Sequence, residues 1–442
     1  MPASPSLLIV PARFKTGKLY TQIATTSAGV ILASSGDFTV TRNTEARRFT
    51  SAGLIESVAS GIPRLDYYTS GGTAGCPALL VEPAATNLVF HSEVWAAGSN
   101  WNLSAGSTPR VTRVTGSTDA FKAPDGTFTA NALSPTSGNV SHQLFSNSPT
   151  EITYTSGTIY TQSAFFKAGT GDAGRYVQLT FGSPQFTQVG YANFDLQVGA
   201  VVASGGTADA NRNARVENYG NGWYRCAFTA TCNASGTTNG VFAALITASG
   251  ATRAPSFSGT VTDVLYGWGA QVETGSVATS YIPTTAGTGS RSGDLVSATG
   301  AVSGSIGQTA GTFYLDLTYS LRLTSTATRW IQIFGSSNNI GLAVATTNIV
   351  RSIVNGQSDI LSTPSTADGV KIAWGYDGSG VVCFVNGTQY TLTNGGAQII
   401  TQLNQISLDL STTNAIGNCR LRAMALYTTR LTNAELAAMT QL

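Results

Sequence analysis

Nearly every apolar stretch of this chain is short, alternates with a period of two and ends in Gly, Ser, Thr, Asn or Asp. Tyr176-Val177-Gln178-Leu179-Thr180-Phe181, Trp223-Tyr224-Arg225-Cys226-Ala227-Phe228 and Gly311-Thr312-Phe313-Tyr314-Leu315-Asp316-Leu317 show the pattern. Alternation of this kind places every second side chain on one sheet face, and turn signals every 8–12 residues imply sandwiches or jelly rolls, not β-α-β units. Helical periodicity is confined to the end of the chain, Leu431 to Met439. There Thr432 and Glu435 form a T-x-x-E capping box ahead of Leu436, Ala437 and Met439. The expected fold is all-β, with one short C-terminal helix.

The 442 residues correspond to about three domains of ordinary size. Two composition shifts divide them. Turn-rich, irregular sequence gives way to regular strand spacing after Thr86-Asn87-Leu88, and Pro283 to Ser290 reads as a linker of proline, glycine and small hydroxyl residues. The division is residues 1–88, an irregular N-terminal attachment region; 89–285, a jelly roll; and 286–442, a second sandwich. The first is expected not to fold alone, because Leu79, Leu80 and Val81 need an apolar partner.

Charged residues make up 10% of the chain, and the net charge is +2. Basic residues nowhere cluster beyond Arg47-Arg48, which argues against a nucleic-acid groove. The start has no basic region ahead of a long apolar run, as a signal peptide needs, and no stretch of about 18 apolar residues offers a span. A soluble chain without membrane insertion is the expectation. Five scattered cysteines (Cys76, Cys226, Cys232, Cys383, Cys419) form no C-x-x-C pair. They read as reduced core residues, with Cys226–Cys232 and Cys383–Cys419 as the pairs that could otherwise close a disulfide.

Signals for catalysis are thin. His91 and His142 are the only histidines, no G-x-S-x-G elbow is present, and no pair of carboxylates stands out for glycoside cleavage. Asp125-Gly126 and Asp377-Gly378 read as turns, calcium ligation being the alternative without a D-x-D-x-D-G loop. No catalytic residue, metal or cofactor is assigned. Asn221-Gly222-Trp223-Tyr224 admits two readings: an aromatic platform on which a sugar ring stacks, or an Asn-Gly hairpin whose Trp223 packs inward. Trp268, between two glycines, carries the same pair of readings, and Trp95 and Trp101 are expected to be partly exposed near the first boundary. Arg42, Arg64, Asp66 and Glu82 form a polar set that either contacts a neighbouring subunit or attachment partner, or braces a loop-rich fold within the chain.

Three stretches resemble recurrent pieces of tailed-bacteriophage structural proteins. Gly61-Ile62-Pro63-Arg64-Leu65-Asp66-Tyr67, continuing into Leu79-Leu80-Val81-Glu82-Pro83-Ala84-Ala85-Thr86-Asn87-Leu88, is similar to a segment common in phage fibre and virion-appended proteins, with Ala85 where an arginine is usual. Asn221 to Arg225, Gly267 to Glu273 and the exit Ser280-Tyr281-Ile282-Pro283-Thr284-Thr285 resemble their carbohydrate-binding-like jelly rolls. Trp374 to Gly378, Val385-Asn386-Gly387 and Leu426 to Thr432 resemble a laminin-G or concanavalin-like sandwich. The resemblance implies a non-enzymatic virion fibre or adhesin that is extracellular after release. It also implies a homo-oligomer, most plainly a trimer, joined to other virion proteins through its N-terminal region and presenting glycan-binding modules to the host surface. A capsid or tail decoration protein that meets no receptor is the alternative. A polysaccharide-degrading enzyme is a more distant one, since no β-helix repeat is present.

Overall fold

The computed structural model describes residues 5–11, 14–19, 22–23, 37–105, 108–146, 151–187, 190–299, 304–321, 328–344, 350–361, 369–400, 402–409 and 416–442. Their fold is all-β, with one α-helix, Asn433–Met439. The capping box forms as the sequence indicates: Glu435 N donates to Thr432 Oγ1, and Thr432 N donates back to Glu435 Oε2 at 2.9 Å.

The middle of the chain makes a sandwich of two six-stranded antiparallel sheets. One runs Val111–Val114, Asn131–Pro135, Val264–Thr274, Ile159–Thr170, Trp223–Thr231, Asn213–Asn218. The other runs Trp101–Asn102, Gln143–Ser146, Phe242–Ile246, Tyr176–Thr180, Tyr191–Asp195, Ala200–Gly205. Phe166, Val177, Leu179, Phe194, Phe228 and Val272 fill the space between them with little or no exposure.

The other sandwich is assembled from both ends of the chain. In one sheet Gly311–Leu321 and Ile416–Tyr427 lie side by side, and Leu7–Ile9 and Ala74–Val81 both pair with Ile416–Tyr427. In the facing sheet Phe38–Thr41 pairs with Leu295–Thr299, which pairs in turn with Gln405–Asp409. One apolar core unites Leu7, Phe38, Leu79 and Val81 with Phe313, Trp374, Ile406 and Leu426. The N-terminal strands thus find their apolar partner more than two hundred residues away, and the middle sandwich is spliced between the halves of the outer one. These ladders cross the limits at residues 88 and 285.

The splice is closed by a short ribbon. Ala85–Asn87 pairs antiparallel with Gly289–Arg291, so entry to and exit from the middle sandwich lie side by side. The end of the stretch read as a linker is therefore a strand, and Gly289 is needed there, because a Cβ would lie 2.8 Å from Pro283 O. Asn87 buckles the ribbon: its Nδ2 donates to Ala270 O and Ile282 O, while its Oδ1 accepts from Val89 N and Val272 N. All four hydrogen-bonding positions of this buried amide are filled, as burial of a polar group requires.

Candidate functional site: a pair of clefts beside a buried ionic joint

Four arginines and three carboxylates meet where the two sandwiches join. Arg64 pairs with Glu82 at 2.7 Å and with Asp294, Arg42 with Asp294 at 3.0 Å, Arg291 with Glu82 at 2.9 Å, and Arg420 with Asp66 at 2.5 Å. Arg42, Arg64, Asp66, Glu82, Arg291 and Asp294 are all 2% exposed or less. Glu82 also accepts from the backbone N–H and hydroxyl of Ser280, which ties the joint to the end of the middle sandwich. Burial alone would raise the Glu82 carboxyl, but Arg291 and Arg64, with the Ser280 bonds, outweigh it and hold the group far below the usual carboxylate range. The expectation that Arg42, Arg64, Asp66 and Glu82 contact another subunit is corrected. Their charges point inward, and each is paired within the chain, with the Arg64 Nε–H alone of this set left without a hydrogen-bond partner. Sequence inspection missed Arg291 and Asp294, which lie more than two hundred residues from Glu82 and stand in no motif with it.

Above this joint two clefts open side by side. Their common wall is the hairpin turn at Gly220 and Asn221 together with Ala52 and Gly53, from the turn between the strands Ala46–Phe49 and Ile55–Val58. Asn221 is exposed and left-handed (φ 51°), a conformation that asparagine tolerates in such turns. The N-terminal segment and the middle sandwich approach closely here. A Cβ on Gly72 would fall 2.7 Å from Gly220 N, and one on Gly220 would fall 2.5 Å from Gly72 O. Asn218 spans the same gap, donating to Gly71 O and accepting from Gly220 N. Both clefts are thus composite, with walls from two separate parts of the chain.

The first cleft, about 470 Å³, is lined by glycines, Ser51, Thr73, Asn218, Asn221 and Tyr224, and none of its lining residues is charged. The second, about 440 Å³, has Trp223 and Tyr219 in its lining, with Lys122, Lys167, Asp119 and Pro124 around them. Lys167 Nζ donates to Ala120 O at 2.7 Å and lies 5.0 Å from the Trp223 ring centre and 4.9 Å from that of Tyr266. Burial lowers the Lys167 ammonium pKa, and the nearby Asp119 carboxylate opposes that shift.

The nominated ligand residues fall unevenly on this geometry. Asn221 lines both clefts, Tyr224 the neutral one and Trp223 the charged one. Alternation along Trp223–Thr231 explains why the neighbours differ. Trp223 turns inward, 2% exposed, with Nε1 donating to Lys122 O, while Tyr224 on the opposite face is half-buried. Trp223 is therefore not an exposed stacking platform. Trp268 is corrected more strongly: it is 1% exposed, donates to Thr129 Oγ1, packs on Phe165 and Tyr281, and lines neither cleft. Trp95 and Trp101, expected to be partly exposed, are buried and stacked at 4.8 Å.

The remaining candidates are structural. His142 is fully buried between Arg110 O and Phe257 O, and the His91 carbonyl accepts from Trp101 Nε1. Asp125 and Asp377 each accept a backbone N–H two residues ahead, closing turns. Among the described residues no group of three or more metal-ligating side chains meets, and no helix is long and apolar enough to cross a membrane. Four cysteines are buried free thiols, but Cys76 is exposed, not a core residue as expected.

No family model and no curated protein matches the chain. Among solved structures it is similar to the CBM40 module of Ruminococcus gnavus IT-sialidase bound to α2,3-sialyllactose, at 14% identity over 31% of this chain and 84% of that one, with a TM-score of 0.24. It is similar also to the botulinum neurotoxin serotype D binding domain (12% identity, 33% and 40% covered, TM-score 0.27) and to a leech intramolecular trans-sialidase (14%, 31% and 24% covered, 0.24). The matched part spans well under two thirds of the last two. Likeness this slight says nothing about what this chain binds.

Proposed function

We propose that this chain is a non-enzymatic virion adhesin that binds glycan in the two clefts flanking Asn221. The observation that carries the reading is the pair itself. The two volumes fall within the roughly 300–1,000 Å³ usual for ligand sites, and they share a wall and combine aromatic surface with amide, hydroxyl and open backbone groups. Such groups suit a sugar, whose ring presents an apolar C–H face and a rim of hydroxyls. The virion setting, attachment to other virion proteins and assembly as a homotrimer rest on the sequence resemblance. Binding at one shallow site is weak, and several copies on one particle would raise avidity by about a hundredfold or more.

The burial of Trp95, Trp101, Trp223, Trp268 and Trp374, each 2% exposed or less, favours the second reading, a decoration protein that meets no receptor. The two readings separate on an array of bacterial surface polysaccharides probed with the full-length chain. The adhesin reading expects saturable binding that drops at least tenfold in Ala52→Trp, which sets an indole, from an exposed position, in the wall that the two clefts share. No binding anywhere on the array, with the protein attaching instead to stripped virions, would replace it with decoration.

A further inference from the structure

The two clefts differ in charge, and the difference bears on what they hold. The neutral one is walled by Gly71, Gly72, Gly220 and Gly222, with Ser51, Thr73, Asn218, Asn221 and Tyr224 beside them, so it offers backbone, hydroxyl and amide groups but no ion. The other carries Lys122 and Lys167 against the single carboxylate of Asp119. Lys122 is exposed, while its main-chain carbonyl is fixed by Trp223 Nε1. The base of that side chain is thereby held at the mouth of the cleft. Lys167 is held in place by Ala120 O and two aromatic rings. One lysine of set position and a second at the mouth, beside an aromatic wall, give a surplus of positive charge in one cleft only.

We infer that the ligand is an acidic oligosaccharide, with a carboxylate-bearing sugar against Lys122 and Lys167 and neutral sugars running over the Asn221 ridge into the glycine-walled cleft. This rests on the reading of the clefts as the glycan site. The lysines supply charge-assisted hydrogen bonds to the carboxylate. The uncharged cleft offers hydrogen bonds to hydroxyls without requiring a second ion. Asp119, in the same lining, repels the carboxylate and sets a limit on affinity.

The test uses the full chain and a panel of short oligouronates, oligogalacturonate among them, each beside the same oligosaccharide with its carboxylates reduced to primary alcohols. Titration calorimetry at low salt is expected to show the acidic form binding about fivefold or more tighter, with the gap closing as salt rises to about 0.5 M. Lys122→Gln is expected to weaken the acidic form about threefold to tenfold and the reduced form by a clearly smaller factor, about twofold or less. Asp119→Asn should act in the opposite direction and tighten the acidic form about twofold to fivefold, a gain that misfolding cannot mimic. Equal affinity for acidic and reduced forms would overturn this inference while leaving the glycan site standing. Failure of every acidic oligosaccharide to bind would overturn this inference, and the glycan site falls with it only if the parent chain also binds nothing on the polysaccharide array, or binds there no better than Ala52→Trp.

Discussion

Asp294→Ala removes the carboxylate shared by Arg42 and Arg64 and leaves the Glu82 backbone N–H without its acceptor. Both guanidinium groups stay where the outer sandwich holds them, buried, Arg64 with Glu82 still beside it and Arg42 with backbone carbonyls only. Breaking a buried ion pair from one side costs about 3–5 kcal/mol, because the remaining charge is desolvated without compensation. Unfolding entropy near the midpoint is about 2 cal/mol/K per residue, so 442 residues give about 0.9 kcal/mol/K. If both sandwiches melt together, Tm falls by about 4 °C; if the outer one, roughly half the chain, melts alone, it falls by about twice that. Differential scanning calorimetry distinguishes the cases, since uncoupled sandwiches would show a second transition that stays in place. Pairing Asp294→Ala with Arg42→Met in a double-mutant cycle should give a coupling of about 1 kcal/mol or more. A Tm shift below about 1 °C for Asp294→Ala, or no coupling to Arg42, would refute the claim that this network holds the joint.

The same joint sets an acid limit. Glu82 is depressed below its unfolded value, so its contribution is complete at neutral pH and is lost as pH falls below about 4.5; Tm should be flat from pH 8 to 6 and drop below about pH 4.5, less steeply in Glu82→Gln. Gly267→Ala places a methyl 2.2 Å from Trp95 Cζ3, pressing on the indole that stacks with Trp101, and should cost about 1–3 kcal/mol in a urea melt, whereas Gly17→Ala, with no atom within 4 Å, should cost only the backbone strain of its positive φ. A thiol reagent at neutral pH should label one cysteine quickly, Cys76, because burial raises the thiols of Cys226, Cys232, Cys383 and Cys419; Cys76→Ser should abolish the fast phase.

Features fixed by neighbouring residues were legible in the sequence. The strand Tyr176–Thr180, the start of Trp223–Thr231, the start of Gly311–Leu321 and the capped helix all follow from period-two alternation and cap chemistry. Pairings set by distant segments were not. Nothing in Leu7 or Leu79 points to Leu426 or Leu421, so the outer sandwich built from both chain ends had no local signature. The ionic joint was half visible. Arg64, Asp66 and Glu82 stood out by type and spacing, but whether such a set faces a partner or the interior depends on Arg291, Asp294 and Arg420, which sequence proximity does not connect to them.

The clefts were legible only through the Asn221 turn. Alternation says that Trp223 and Tyr224 face opposite ways. It does not say which face the turn between Phe49 and Ile55 will approach, and that turn supplies the wall the two clefts share.

The most direct test of the central claim is equilibrium binding of the full-length chain to a polysaccharide array, measured side by side with Ala52→Trp. Saturable binding by the parent chain, weakened at least tenfold by a tryptophan in the shared wall, is the result this account predicts. Binding that Ala52→Trp leaves unchanged would place the ligand elsewhere on the protein and contradict the assignment of the clefts.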